Sequence, residues 1–431
     1  LAVINFAYVW YVLGLFSLVF FVYLIASSGR GESNTFSGRR ISYIALSVLI
    51  LTIIFILSGQ SISNFFGSYF NVSQVEARPS LAATYNVASS ALKKNALLGI
   101  GPNHFSNEWS ASKPRDVNET VFWNTEFSFG FGLIPSVAVT SGILGFLAWI
   151  SFLVAFSYSG FKALFTKMSD KFEHYLIISS FLGSLYLWIF TIIYVPSTVT
   201  YSLAFLMTGL FIGSLAQGKL LRERAIAFSD DPKESFVGVL VLVLLFIGSV
   251  TSGYFMLQKF FSHTYFQKSA MAATLEGNLG KAETYIDRAL ALSKSDLYYR
   301  HAIDLNIARM AQILSQQNVQ ADLVTSQFSN VLGVALQNAN AALAVDEMNY
   351  RNWLARGRIY EAVLPLGIPG AYEGAKNDYE KARQINPTNP ELYLVLSRLE
   401  IVNKNNAKAR EFIAKALEQK RNYTEAVFLL S

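Results

Sequence analysis

Apolar residues follow two regimes along this chain. As far as Leu257 they gather in long uncharged runs; from Gln258 onward they recur every three or four positions among charged residues and alanines. The first regime predicts membrane-crossing helices, because a helix needs about 20 apolar residues to traverse the hydrocarbon layer. Phe6 to Ala26, Ile41 to Leu57 (slightly short), Tyr175 to Val195, Thr198 to Ala216 and Phe236 to Leu257 are the candidates. The second regime predicts amphipathic helices that bury one face against their neighbours.

One uncharged stretch, Phe127 to Phe161, is longer than a single crossing needs and is interrupted by Gly130, Gly132, Pro135 and Gly142. It predicts a broken or re-entrant helix, then a span near Ile143 to Tyr158. Irregular backbone at membrane depth persists only where protein covers it or where it lines a wet cavity, which makes this stretch a site candidate. Orientation follows from three basic loops: Arg30, Arg39 and Arg40 against Glu32; Lys162, Lys167 and Lys171; and Lys219, Arg222, Arg224 and Lys233. These loops alternate and are predicted to be cytoplasmic.

The predicted organisation has two transmembrane helices in 1–58 and an extracytoplasmic loop with an amphipathic helix in 59–125. A re-entrant segment and about four spans occupy 126–257, and an outer helical domain occupies 265–431. The chain opens on Leu1, and apolar sequence begins at once with no charged leader. That pattern predicts further spans upstream rather than a signal peptide.

The C-terminal region repeats itself. Ala375, Tyr379 and Ala382 recur as Ala409, Ile413 and Ala416; earlier copies read Ala282, Ile286, Ala289 and Ala335, Ala339, Ala342. Small residues at this spacing let the two helices of a hairpin approach closely. Trp353, Gly357 and Tyr360 supply the opposite helix, and Pro387 ends the unit. The pattern resembles the tetratricopeptide repeat, which implies an α-solenoid that either takes a peptide or protein partner in its groove or packs on the membrane domain. The insertion Leu364–Gly370 and the over-long 297–334 predict loops or extended helices. A regular repeat carries no catalytic constellation.

Charge adds little to this reading. The net charge is +6, but from Gln258 onward 20 Lys and Arg face 17 Asp and Glu, and much of the remaining excess lies in the loops between spans. No nucleic-acid partner is predicted. Cysteine is absent, and the four histidines show no ligand spacing, so neither disulfides nor a metal site is predicted.

The chemistry is concentrated between Arg78 and Gly145. Arg78-Pro79 opens a predicted helix with Leu81, Tyr85, Ala88 and Leu92 on one stripe, ending in Lys93-Lys94-Asn95. The sequence from Ala96 through Gly99, Gly101 and His104 to Phe105 follows, its glycines permitting a tight turn. No strand or third glycine frames it, so it is not a dinucleotide fingerprint. An arginine-led helix, this glycine turn, a polar stretch and then Ser141-Gly142-Ile143-Leu144-Gly145 together resemble the O-antigen ligase/polymerase superfamily of bacterial envelope proteins, over roughly 1–220.

The resemblance implies an all-α, GT-C-like polytopic bundle, N-terminally incomplete here, in the bacterial inner membrane, with its repeat domain extracytoplasmic. It implies transfer of a glycan from a polyprenyl-diphosphate carrier to an acceptor, with no cofactor, nucleotide sugar or metal. Arg78 matches the family's helix-leading arginine and is the candidate for binding the diphosphate, with Lys93 and Lys94 assisting and Gly99 and Gly101 shaping the turn. The family's usual His-Asn or His-Ser pair has no match in Trp123 to Gly130. Glu126 is the candidate replacement base and His104 the alternative. Asn124 is the candidate for orienting a sugar hydroxyl, while Trp109 and Trp123 either stack on a sugar or anchor at the bilayer interface. The competing expectation is a catalytically silent, membrane-anchored repeat scaffold. A transporter is disfavoured, because the clear spans carry no charge for coupling.

Overall fold

The computed structural model describes residues 7–28, 38–71, 77–166, 168, 170–195, 197–221, 232–316 and 320–430. Sixteen α-helices and no strand occur among the described residues, so the fold is all-α. The first eight helices are α1 (Ala7–Ser28), α2 (Gly38–Phe70), α3 (Leu81–Lys94), α4 (Phe105–Ser112), α5 (Leu133–Phe165), α6 (Lys171–Ile193), α7 (Thr198–Gln217) and α8 (Pro232–Thr274). There follow α9 (Leu279–Leu292), α10 (Asp296–Leu314), α11 (Ala321–Val345), α12 (Tyr350–Val363), α13 (Ala371–Ile385), α14 (Pro390–Val402), α15 (Asn406–Gln419) and α16 (Thr424–Leu430).

The chain forms two compact units, one of Leu1–Phe105 with Phe127–Glu223 and the other of Ser106–Glu126 with Arg224–Ser431. Arg30, Glu32, Lys167, Arg222 and Arg224, on which the predicted orientation leans, lie outside the described residues, as do the side chains of Arg39, Arg40, Lys171 and Lys233.

Five helical stretches among the described residues are long and apolar enough to cross a membrane: Leu46–Phe70, Leu133–Phe165, Phe172–Ile193, Thr198–Gln217 and Ser235–Thr274. A shorter apolar stretch, Ala7–Val22, belongs to α1. The second helix runs on to Phe70 rather than ending near Leu57.

In the first unit α1 and α2 form a hairpin. Trp10 stacks on Phe55 with ring centroids 4.1 Å apart, and Gly14 leaves room for the Thr52 methyl. Helices α5, α6 and α7 share an aromatic core of Phe156, Phe181, Trp188 and Phe211. Gly160 is required there, because a Cβ would lie 1.9 Å from the Phe181 ring. Polar groups in this core are satisfied internally, as an apolar surrounding demands. Trp188 Nε1 donates to Thr208 Oγ1 at 2.9 Å, and Thr208 shares a 2.7 Å bond with Ser184.

Helix α3 corrects one expectation. Its packed face is Ala83, Thr84, Val87, Ala88 and Ala91, whereas Leu81 and Tyr85 of the predicted stripe point outward. Small side chains allow close approach of backbones, so they take the interior face while the bulky apolar ones face out. Ser80 caps the helix by accepting from Ala83 N at 3.1 Å.

In the second unit α8 is a single helix of 43 residues. The hydropathy boundary near Gln258 therefore falls inside a continuous element. Its N-terminal part exposes Phe236, Val237 and the run Val239 to Ile247, while its C-terminal part packs on α9. Ser262 and Ser269 of α8 donate to the carbonyls of Ala289 and Ala282, each at 2.7 Å.

The hairpins α10–α11, α12–α13 and α14–α15 follow, with the repeated small residues buried at their seams: Ala335, Ala339, Ala342, Ala375, Ala382, Ala409 and Ala416. Gly357 lies beneath Tyr379, where a Cβ would be 2.3 Å from the ring. Asn278, Asn349, Asn389 and Asn405 cap α9, α12, α14 and α15 through their side chains. The excess length in 297–334 is taken up by the long helices α10 and α11. A 3-10 turn at Leu364–Leu366, with left-handed Gly367 and Gly370, absorbs the insertion after α12.

Candidate functional site

In the first unit Arg78 stands before α3, while Lys93, Lys94 and the glycine turn stand at its far end. Arg78 precedes α3 and is half-buried. Its guanidinium carbon lies 4.6 Å from the Phe131 ring centroid, 5.0 Å from Tyr8 and 5.1 Å from Tyr194. Nη1 donates to the carbonyl of Ile193 at 3.3 Å. Three aromatic faces and a carbonyl therefore fix the orientation of this cation. Gly130 and Gly132 make the arrangement possible. A Cβ on Gly130 would lie 2.3 Å from Thr84 Cγ2, and one on Gly132 would lie 2.0 Å from the Ile192 carbonyl oxygen. Phe131 N also donates to Thr84 Oγ1 at 2.9 Å, which anchors the ring that covers Arg78.

The glycine turn interlocks with the broken helix. At Gly142 the backbone leaves helical geometry (φ 61°, ψ −159°) inside α5. A continuous helix would join Ile143 N to Val139 O and Leu144 N to Thr140 O. Instead Ile143 N donates to Ala96 O at 2.9 Å and Leu144 N to Leu97 O at 3.2 Å. Val139 O and Thr140 O accept from Ile100 N and Gly101 N, both at 3.0 Å. Four bonds to the inserted turn thus replace two within the helix. A Cβ on Gly99 would sit 2.4 Å from Val139 O, and one on Gly142 would sit 2.5 Å from Leu97 O and Gly99 N. Gly101 also has positive φ, and His104 follows it, exposed, with its N–H directed to Gly101 O at 3.4 Å. Lys93 and Lys94 are exposed in the last turn of α3.

Asn124 and Glu126 belong to the second unit. There residues 106–126 lie along the solenoid edge where one hairpin turns into the next. Asn107 Nδ2 donates to Asp346 Oδ2 at 3.0 Å, just after α11. Glu126 Oε1 pairs with Arg351 Nε at 2.9 Å, at the start of α12, and Arg351 Nη2 donates to the carbonyl of Asn124 at 3.2 Å. The Asn124 side chain is exposed.

Farther along the edge, Asn118 Nδ2 donates to Thr388 O at 2.7 Å and Gln419 O at 3.2 Å. Lys420 Nζ donates to Asn118 O at 2.7 Å, and Arg421 N donates to Glu119 Oε1 at 3.1 Å. The ring of Trp123 packs against Tyr423 with centroids 5.4 Å apart. Trp109 is only 1% exposed and donates Nε1 to Thr125 O at 3.2 Å, so it forms the segment's interior and presents no face to a sugar.

Two ionisable groups are perturbed here. Burial raises the pKa of Glu126 above the ordinary carboxylate value, and the neighbouring charge of Arg351 opposes that rise. Burial lowers the ammonium of Lys113 to about 8; Glu126 raises it and Arg351 lowers it further. Lys113 Nζ donates to the carbonyl of Trp123. No cluster of three or more His, Cys, Asp or Glu able to hold a metal occurs among the described residues. Sequence reasoning missed Arg351, Asn118 and Lys420, because their partners lie far away in the chain and no local pattern marks them.

The tetratricopeptide repeat family matches residues 369–430, which correspond to α13 to α16. The C-terminal part of the chain therefore carries tetratricopeptide repeats, a kind of domain that points to protein–protein interaction. The crystal structure of the yeast Tom70 aligns with 96% of this chain and 77% of that one, at 13% identity and a TM-score of 0.26. At that score the likeness carries no statement about architecture. No curated protein matches the chain.

Proposed function

We propose that the chain is part of a bacterial envelope glycan ligase or polymerase, an inner-membrane enzyme of the O-antigen ligase/polymerase type. It transfers a glycan from a polyprenyl-diphosphate carrier to an acceptor on the outer face, with its repeat domain on that same face. The observation that carries this reading is the held guanidinium of Arg78, at the head of the helix that leads into the interlocked glycine turn.

In the reaction the acceptor hydroxyl attacks the anomeric carbon. The bond from that carbon to the phosphate oxygen breaks, and the electron pair leaves with the lipid diphosphate. A fixed guanidinium stabilises the charge that develops there. The hydroxyl proton passes to a base, for which Glu126 and His104 are the candidates. Burial suits Glu126 to the task and Arg351 opposes it.

Replacing Arg78 by Ala in the complete protein is expected to lower transfer from a polyprenyl-diphosphate-linked glycan by at least about a hundredfold, the scale of losing a preorganised electrostatic contact. Arg78→Lys is expected to recover only part of the rate, since a point ammonium lacks the planar fork. Full activity of Arg78→Ala in membranes with a normal protein level would refute the site.

A second reading is favoured by one observation: Glu126 and the Asn124 carbonyl are bound to Arg351. A membrane-anchored, catalytically silent repeat scaffold uses these groups structurally. Such a scaffold tolerates Arg78→Ala and loses function when 265–431 is deleted.

A further inference from the structure

We propose that the turn edge of the repeat domain is a latch for residues 106–126, and that transfer proceeds only while this latch is closed. The second half rests on the function proposed above.

Three successive inter-hairpin turns hold the segment: Asp346 with Arg351, Thr388, and Gln419 to Tyr423. Asn118 is the centre of the contact. It is fully buried, and its amide nitrogen and its carbonyl together tie it to the turns on both sides of the α14–α15 hairpin. Trp123 adds a ring contact with Tyr423, and Lys420 lies 5.8 Å from the Trp123 ring centroid. The seal is made of hydrogen bonds, an ion pair and one aromatic pair. The hydrogen bonds and the ion pair exchange with water at small net cost, and one ring pair is little to expose, so the contact suits a closure that opens and re-forms.

The chain itself makes the latch consequential. Its N-terminal end continues directly from His104 and Phe105, and its C-terminal end enters the stretch Phe127 to Gly132, whose Phe131 covers Arg78. Holding residues 106–126 in one conformation holds the distance between those two ends. Opening it releases Glu126, the candidate base, from Arg351. Occupancy of the repeat edge is thereby a handle on the reaction, and a polypeptide that competes for this edge acts as an inhibitor.

The test uses the full-length protein in lipid nanodiscs with Asn118→Ala, Trp123→Ala and Trp123→Phe, none of which alters a proposed reacting group. Hydrogen exchange in 106–126 is expected to quicken about tenfold in the two alanine variants, while that in α13 and α14 is unchanged. Transfer from a polyprenyl-diphosphate-linked glycan is expected to fall by a similar factor. Trp123→Phe keeps a ring against Tyr423 and is expected to preserve both. Unchanged exchange in both alanine variants would overturn the latch. Faster exchange with undiminished transfer would overturn its control of the reaction. Arg78→Ala measured alongside separates the readings: if it transfers normally, the enzymatic function fails, whereas the exchange data judge the latch alone.

Discussion

Gly99 and Gly142 are held by backbone on both sides, and that is a harsher constraint than contact with a side chain. A flexible side chain can swing away from a new methyl group, whereas a carbonyl engaged in a hydrogen bond cannot. Both glycines also have positive φ, where an L side chain is strained. Gly99→Ala and Gly142→Ala are each expected to destabilise the first unit by about 2–4 kcal/mol, read as a lower unfolding midpoint in detergent. Gly209→Ala, in the same unit with open space around it, is the control and is expected to shift the midpoint little.

Lys113 supplies a pH dependence. Its ammonium titrates at about 8 when the segment is docked, and at the ordinary value of 10.5 when it is released. The docked state therefore binds fewer protons than the released state between those values. Docking strengthens as pH rises through that window, and the penalty of a buried charge is complete below it. A fluorophore on Val121→Cys should report denaturant-driven release at a higher midpoint at pH 10 than at pH 8, and Lys113→Met should remove the difference. The glycines were legible because positive φ selects glycine. Lys113 was not, because its environment is assembled by Glu126 and Arg351, which are far apart in the chain.

Among elements, α8 shows where a sequence boundary and a structural boundary part company. Hydropathy drops near Gln258, and a reader of the sequence ends a span there. The backbone has no reason to stop, since neither proline nor glycine follows Gln258 until Gly277, in the turn after Thr274. At about 1.5 Å per residue the helix is about 65 Å long. Spin labels at Phe246 and Gln267 should show a narrow distance distribution centred near 32 Å, as about 1.5 Å per residue requires. A broad distribution would mean a joint at the hydropathy boundary.

Helix α3 misled for a related reason. A bulky apolar stripe signals a buried face, but where α3 packs closely on α5 the small residues turn inward. The repeats, by contrast, were plain from their alanine spacing, because each alanine marks a seam that tolerates nothing larger. The break in α5 was foreshadowed by its glycines and proline; its partner, the 96–101 segment, was legible as a glycine turn but not as the piece that fills the break.

For the molecule as a whole, the fold class and the repeat domain could be read in advance, and the placement of residues 106–126 could not. The bonds that set it join positions such as Asn118 and Gln419, and nothing in either neighbourhood announces the other. Membership of one compact unit makes a direct prediction about topology. These residues contain no cysteine, so single cysteines introduced here are the only ones among them. Val121→Cys and Glu418→Cys should both react with an impermeant maleimide from the same side of the membrane. Labelling from opposite sides would contradict the unit and the enzymatic proposal with it.

The exchange of backbone bonds at Gly142 also bears on how the protein is made. Residues 96–101 leave the ribosome before Ile143 does, so the strip that completes the interrupted helix already exists when that helix emerges. Without it, the helix would be left with bare amides and carbonyls at the break, each costing about 1–3 kcal/mol if buried unmet. The two pieces therefore complete each other, and the later rod reaches its final hydrogen bonding only once the earlier strip has closed on it.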